Sequence, residues 1–445
     1  MSDRHVKRYG AYKESGVEWI GELPAHWSFG RIKNVISKIT SGVTPRGGAE
    51  SYVDVGIPFL RSQNVHNEGL HIDDVSFISA NTHQEMMNSQ VRPGDIVFNI
   101  TGASIARTCI IPKTLKTANI SQHIALLRLR NANEAKFIWY YLQSQFVKDY
   151  VYLTQSGASK EAFNHGQMKC IPLPLPPHPE QTAIAAYLDI KTAQMDRQIE
   201  LLSKKATQYG KLKQSLINET VTRGLDSTVP MKESGVEWIG EVPAHWEVKR
   251  VKELYVESKL KSLTGDEVLL SVSEYTGVTQ KQDNIGEEEF ITHAESLIGY
   301  KLCKKGDLVI NIMLAWKCGL GVSPYCGIVS PSYAVYSHKR NLSSSFFHYR
   351  FRNEDAIAEF KRNSTGIIES RLRLYSDSFF ALSIAIPPFE EQTAIAAYLD
   401  TKTAQIDRIV STINTQIDKL KELRKTLIND VVTGKIKVIP EGELA

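Results

Sequence analysis

The sequence predicts two copies of a mixed α/β (α+β) domain, joined by two long α-helices that pair as an antiparallel coiled coil with internal pseudo-twofold symmetry. Three observations carry this expectation. The stretch KESGVEWIGELPAHW, Lys13 to Trp27, returns as KESGVEWIGEVPAHW, Lys232 to Trp246, with only Leu23 against Val242 between them. EQTAIAAYLDIKTAQMDRQI, Glu180 to Ile199, returns as EQTAIAAYLDTKTAQIDRIV, Glu391 to Val410, and SLINETVT from Ser215 returns as TLINDVVT from Thr426. The tags recur at 232 − 13 = 219 and the second blocks at 391 − 180 = 211, because the later variable block is eight residues shorter. Solenoid units run about 20–50 residues, so a repeat of this length is a duplicated half.

Taken in order, each half begins with its tag. Trp19, Ile20 and Trp27, with Trp238, Ile239 and Trp246, are a dense aromatic load for short segments. They read as anchors strapping each domain to the helices, with a partner surface as the competing reading. The variable blocks follow. GDIVFNI (Gly94 to Ile100) and GDLVINI (Gly306 to Ile312) read as strands opened by a Gly-Asp turn. SYVDVGIPFLRSQNV and LLRLRN read as further strands, and FIWYYLQSQFVKDYV as one short amphipathic helix. Beyond this scaffold the blocks diverge: TGASIARTCII follows the first Gly-Asp strand and MLAWKCGLGV the second.

The repeated blocks read as helices starting after Pro176-Pro177 and Pro387-Pro388 and stopping near Gly224 and Gly434. Leu188, Thr192, Met195, Ile199, Leu202, Ala206, Tyr209, Lys213 and Leu216 follow 4-3 spacing. So do Leu399, Thr403, Ile406, Val410, Ile413, Ile417, Leu420, Arg424 and Leu427. Sustained over four heptads, that spacing marks a narrow coiled-coil seam, and two similar seams in one chain pair with each other. Gly210 inside the first helix predicts a bend. The expected organisation is a first domain at 1–178, a helix at 179–224, a second domain at 225–390, and a helix at 391–436 with a tail to 445.

Composition bounds the function. A chain of 445 residues with 42% hydrophobic and 23% charged residues is a soluble multidomain protein. No apolar run is long enough to span a membrane, and MSDRHVKRYGAYKES has no signal-peptide core. Five scattered cysteines without a CxxC predict reduced thiols, a cytoplasmic location and no metal site. From Trp27 to His178, 15 Lys/Arg stand against 10 Asp/Glu; from Trp246 to Glu390 the count is 18 against 18, with a basic last third. Local basic clusters on near-neutral domains fit a polyanion touched on one face. Catalytic motifs are missing. IPPF, Ile386 to Phe389, and Leu175-Pro176-Pro177 lack the polar first residue an amino-methyltransferase needs to hold a flipped base. CGLGVSP has two glycines of a three-glycine fingerprint, and no Walker lysine motif occurs. His26 and His245 have no accompanying ligand pattern.

Together the paired tags, the loop SGVTPRGG (Ser41 to Gly48) with GIPFLRSQNV after it, the paired Gly-Asp strands and the PP-x-x-EQ-x-x-IA-x-x-LD helix starts resemble the specificity subunit of type I restriction-modification systems, over essentially the whole chain. The resemblance implies a non-catalytic, DNA-binding subunit. Each variable block would be a target recognition domain reading one half of a split asymmetric site in double-stranded DNA. The helices would set the spacing and dock two methyltransferase (modification) subunits, with motor-nuclease (restriction) subunits joining through them. DNA methylation, of adenine, would then use S-adenosylmethionine held by a partner, and ATP and Mg would also belong to partner subunits. The second block departs from the pattern, with ESKLKSLTGDEV where the SGVTPRG loop would stand.

Reading sequence requires hydrogen-bonding loop side chains aimed at base edges, with Lys and Arg on phosphates. The candidates are Ser41, Thr44, Arg46, Arg61, Gln63, Asn64, Thr101, Ser104 and Arg107 in the first domain. In the second they are Lys259, Lys261, Ser271, Ser273, Tyr275, Lys317, Ser332, Tyr333, Asn363 and Arg371. Gln181, Tyr187, Asp189 and Asp196, with Gln392, Tyr398, Asp400 and Asp407, are candidate partner-docking positions, expected exposed on the helices. The competing function is a coiled-coil adaptor without DNA specificity, which the divergent loops disfavour.

Overall fold

A computed structural model describes residues 8–154, 162–281 and 296–438. Two compact units divide the chain: Met1–Ser203 with Thr415–Ala445, and Lys204–Asn414.

The first unit begins with the tag, folded as a hairpin of Tyr12–Glu14 against Glu22–Pro24. Its variable block holds an antiparallel sheet ordered Thr108–Ile110, Ile96–Asn99, Ile124–Leu129, Ile36–Ser41. The Gly-Asp strand lies inside this sheet, and all four of its residues are buried, because both faces are covered. Gly94 turns at φ 88°, and the Asp95 carboxylate accepts the Arg92 backbone N–H at 2.8 Å, so the expected turn forms. A second sheet, Ser76–Ile78, Ile57–Leu60, Ala118–Ile120, Gln90–Val91, contains one parallel pair.

The second unit repeats the tag hairpin and the first of these sheets, and among its described residues the second sheet is replaced by two strand pairs, Leu270–Ser273 with Gly277–Gln280 and Lys301–Cys303 with Gly327–Val329. Its tag hairpin is Met231–Glu233 against Glu241–Pro243, and its sheet runs Leu320–Val322, Leu308–Asn311, Tyr333–His338, Tyr255–Glu257. Gly306 turns at φ 95°, and Asp307 accepts the Lys304 N–H at 2.8 Å. In both units a strand after the tag pairs with the strand entering the long helix: Ser28–Arg31 with Pro172–Leu175, and Glu247–Arg250 with Ser383–Ile386. Ile386 is therefore a paired, buried strand residue, and the IPPF stretch is a helix start.

One expectation needs correcting. FIWYYLQSQFVKDYV forms two helices, Ala135–Leu142 and Gln145–Thr154. The chain breaks at Gln143–Ser144, where the Ser144 hydroxyl accepts the Val147 N–H at 3.3 Å and starts a new helix. Serine competes with helix continuation by this kind of local bond.

The long helices are His178–Arg223 and Phe389–Val432. Their starts are built alike. Prolines cannot donate to a preceding turn, and the Gln181 and Gln392 amides donate back to the Pro176 and Pro387 carbonyls at 3.0 and 2.9 Å. The first helix runs unbroken through Gly210. Leu188, Thr192, Leu399, Thr403, Ile406, Ile413 and Ile417 are buried, as the seam predicts. In the first unit Asp196 meets Arg424 at 3.1 Å; in the second Asp407 meets Lys213 at 2.7 Å. Adding 211 to Asp196 and Lys213 gives Asp407 and Arg424, so one ion pair occurs twice with its donor and acceptor helices exchanged.

The tags are the straps. Trp27 is fully buried in a core with Leu23, Ile184, Leu188, Ile428, Val431 and Val432; Trp246 is buried with Val221, Val242, Ile395 and Leu399. His26 meets Glu180 at 2.8 Å and His245 meets Glu391 at 2.7 Å. The tag histidines thus tie their hairpins to the first turn of each helix.

Candidate nucleic-acid interface

Sheet register determines which loops meet. In the first unit Ser41 pairs with Ala125 and Asn99 with Ile124, all antiparallel. The end of Ile36–Ser41, the start of Ile124–Leu129 and the end of Ile96–Asn99 therefore share one edge. Loops 42–47, 121–123 and 100–107 emerge there together. Gly42 permits the closest approach: a Cβ at that position would lie 1.9 Å from the Ile120 carbonyl oxygen.

Side chains at this edge form a connected polar surface. Thr44 donates to the Gln122 side-chain amide oxygen Oε1 at 2.9 Å, Gln122 meets His123 at 3.4 Å, and His123 meets the Thr101 hydroxyl at 2.7 Å. Ser41 meets His165 at 2.7 Å. Burial, then nearby Lys169, lowers the His165 pKa and favours the neutral ring. Ser104 accepts from the buried Asn99 amide at 3.1 Å, and the same amide donates to the Ser62 carbonyl at 2.8 Å. That bond draws the 61–64 segment toward the same edge. Arg46 and Arg107 are exposed. Ala106, beside Arg107, adopts φ 67°, a left-handed conformation uncommon outside glycine. Gln122, His123 and His165 were not read from the sequence, because only the strand register brings them beside Ser41, Thr44 and Thr101.

The 61–64 segment is organised by Asp74. Gln63 donates to its carboxylate at 2.6 Å and Arg61 to its carbonyl at 3.3 Å. Asn64 corrects an expectation of exposure. It is fully buried, accepts from the Arg61 N–H at 2.9 Å and donates to the His71 carbonyl at 3.0 Å, so its amide holds the loop.

The second unit presents the equivalent edge with different side chains. Asn311 pairs with Tyr333 and Glu257 with Tyr336, so segments 258–261, 312–317 and 330–332 share one end of the sheet. Lys259, Lys261, Lys317 and Ser332 are exposed there, and Tyr333 is half-buried, its hydroxyl pKa raised by burial. The Lys317 and Lys361 ammonium groups lie 5.0 and 5.5 Å from the Trp316 ring centre. A hairpin, Leu270–Ser273 with Gly277–Gln280, carries Ser271 facing Thr279 at 3.3 Å and presents Tyr275 in its exposed turn. Arg352 secures that turn through the Glu274 and Tyr275 carbonyls at 2.8 and 2.9 Å. The Ser273 hydroxyl accepts the Tyr275 N–H at 3.1 Å and shapes the same turn. Asn363 is drawn inward: its amide donates to the Glu359 carbonyl and carboxylate at 2.9 and 2.8 Å, ending a helix. Arg371 is exposed on the following loop.

Among the expected docking positions, Gln181 and Gln392 are buried, correcting the expectation that they face outward; their amides are spent on the helix starts. Asp189 and Asp400 accept hydrogen bonds from the Tyr140 and Tyr349 hydroxyls at 2.9 and 2.7 Å, fastening each domain to its helix. Tyr187 and Tyr398 are half-buried, with Lys191 and Lys402 at 5.9 and 5.8 Å over their rings. Asp196 and Asp407 make the repeated ion pair. Among the described residues no cluster of three or more His, Cys, Asp or Glu side chains is placed to hold a metal, and no helix is long and apolar enough to cross a membrane.

The family of the type I restriction modification DNA specificity domain matches residues 24–208. Over those residues the chain is similar to that DNA specificity domain. The match spans the polar edge just described, and the strand order of the main sheet recurs in the second unit beyond it. Curated relatives extend the likeness along the chain. One is a Methanocaldococcus jannaschii protein described as the MjaX type I restriction enzyme specificity subunit, 24% identical over 448 residues, covering 96% of this chain and 98% of that protein. The StySPI specificity subunit of Salmonella potsdam is 20% identical, covering 94% of this chain and 90% of its own length. Two solved structures share the fold. One chain, from a type I R-M system described in terms of complex assembly and conformational transition, has TM-score 0.67, 17% identity, and coverage of 92% of this chain and 98% of its own. The HsdS subunit from Thermoanaerobacter tengcongensis has TM-score 0.53, 17% identity, and coverage of 93% and 98%.

Proposed function

We propose that this chain is the DNA-reading subunit of a type I restriction-modification complex, each DNA specificity domain reading one half of a split, asymmetric duplex site. The observation that carries the reading is the contrast between repeated anchors and unlike loops. His26–Glu180 recurs as His245–Glu391, and Asp196–Arg424 as Asp407–Lys213. The loops on the matching sheet edges carry Thr44, Gln122 and Thr101 in one unit and Lys259, Lys317 and Ser332 in the other. A common scaffold with different hydrogen-bonding loops fits one task on two sequences.

In this reading the two long helices pair as an antiparallel coiled coil relating the halves by a pseudo-twofold axis. The buried 4-3 seam supports the pairing. So do the two ion pairs, whose residue numbers share one sum (196 + 424 = 213 + 407 = 620), as two chains running in opposite directions require. The repeated outer faces fit two identical methyltransferase subunits, and motor-nuclease subunits join the complex. Those partners bring S-adenosylmethionine, ATP and Mg and carry out adenine methylation and cleavage in the cytoplasm; this chain chooses where.

Selection from a random duplex pool by the full chain, alone and with its methyltransferase partner, tests the reading. A bipartite motif with a fixed unread gap is expected. Binding with no enriched sequence would leave the adaptor reading in its place.

A further inference from the structure

The second unit carries a feature that base reading leaves unexplained. Ile367 is 101% exposed and Ile368 is 52% exposed, adjacent on one loop. Together they form a small apolar tip on the loop surface. The loop is closed rather than slack: Thr365 and Arg373 exchange both backbone hydrogen bonds at 2.9 Å. At its base, next to Thr365, Gly366 adopts φ 153°, and a Cβ there would lie 2.6 Å from the Arg371 carbonyl oxygen. A short turn at Glu369–Arg371 follows. The two isoleucines are therefore held out on a hydrogen-bonded hairpin.

Its surroundings name the occupant. Arg371 is exposed on the same loop, Arg362 pairs with Glu359 at 3.6 Å and Lys361 with Glu369 at 2.5 Å, and Lys361 and Lys317 share the Trp316 ring. A duplex fits this mixture, because phosphates meet the exposed cations of Arg371 and Lys317 while stacked bases accept an apolar wedge between them, unstacking one step and kinking the helix.

We propose that Ile367 is a DNA-inserting wedge, seated by Ile368 and the basic rim, which opens a base step within or beside the second half-site. The inference rests on the DNA-reading function above and adds to it a deformation component of specificity, since pyrimidine–purine steps unstack most easily.

The test uses the full chain without a methyltransferase partner, so that no flipped base contributes. The probe is a duplex selected from a random pool by the wild-type chain, with 2-aminopurine placed at successive positions across and beside the second half-site. Wild type is expected to raise fluorescence at one step. Ile367→Ser should abolish that rise and weaken binding on the order of tenfold, without altering the melting temperature of the free protein. Ile367→Leu should retain the rise. No enhancement at any position with wild type, or equal enhancement with Ile367→Ser, would overturn the wedge while leaving the reading function intact. Loss of binding on replacing thymine by uracil, with stacking unchanged, would assign Ile367 to a thymine-methyl contact and equally overturn it. Failure of the wild-type chain to select any sequence would remove the reading function, and the wedge with it.

Discussion

Glu391 serves two donors from one tag: His245 at 2.7 Å and the indole N–H of Trp246 at 3.2 Å. Removing it leaves a buried indole donor without an acceptor, which costs about 1–3 kcal/mol. Glu391→Ala is therefore expected to lower the urea midpoint of the second unit with little change in the first, as followed by domain-resolved hydrogen exchange. His348 gives a pH signature. Burial beside Gly277 and Gly321, and then the Arg352 guanidinium, lower its pKa from 6.5 to about 4. The unfolded chain takes up this proton first as pH falls. The contribution of His348 to stability is thus complete above about pH 6.5 and is lost between there and about pH 4. His348→Gln should flatten that part of a stability–pH curve. At this scale the sequence was least readable. Asn64 and Asn363 have the chemistry of base readers, but their amides are consumed by local backbone groups. Gln122 and His165 gain their neighbours only through tertiary register.

Elements were far more legible, because periodicity survives without knowledge of neighbours. The 4-3 seam identified the faces that are buried, and the proline pairs marked both helix starts within a residue or two. Polar residues misled where their role is local. Gln181 and Gln392 lie on the helices as expected, yet each turns back to a proline carbonyl and is lost to the surface. Ser144 split one expected helix into two by a single hydroxyl bond. The seam also predicts magnitudes. Leu399 is fully buried between its helix and the second domain, so Leu399→Ala should cost about 2–5 kcal/mol in chemical denaturation. The exposed neighbour Ala397, changed to Ser, should cost under about 0.5 kcal/mol.

For the whole molecule, duplication was visible because the tags and helix blocks kept their residues while the loops did not. The proposed helix pair makes the distance between readers a property of helix length. One heptad inserted into each long helix lengthens a rod by about 10 Å, roughly 3 base pairs of duplex. The selected motif should then keep both half-sites and gain that many unread positions; retention of the original gap would contradict the spacing role.

The division of labour between two unlike readers is the central claim, and one comparison tests it most directly. Motifs selected from a random duplex pool by the wild-type chain are set against those selected by a chain carrying Thr44→Ala, Thr101→Ala and Gln122→Ala, all on the sheet edge of the first unit. The account predicts that sequence information disappears from one half-site, while the other half-site and the gap are unchanged. Blurring of both halves together, or an unchanged motif, would contradict it.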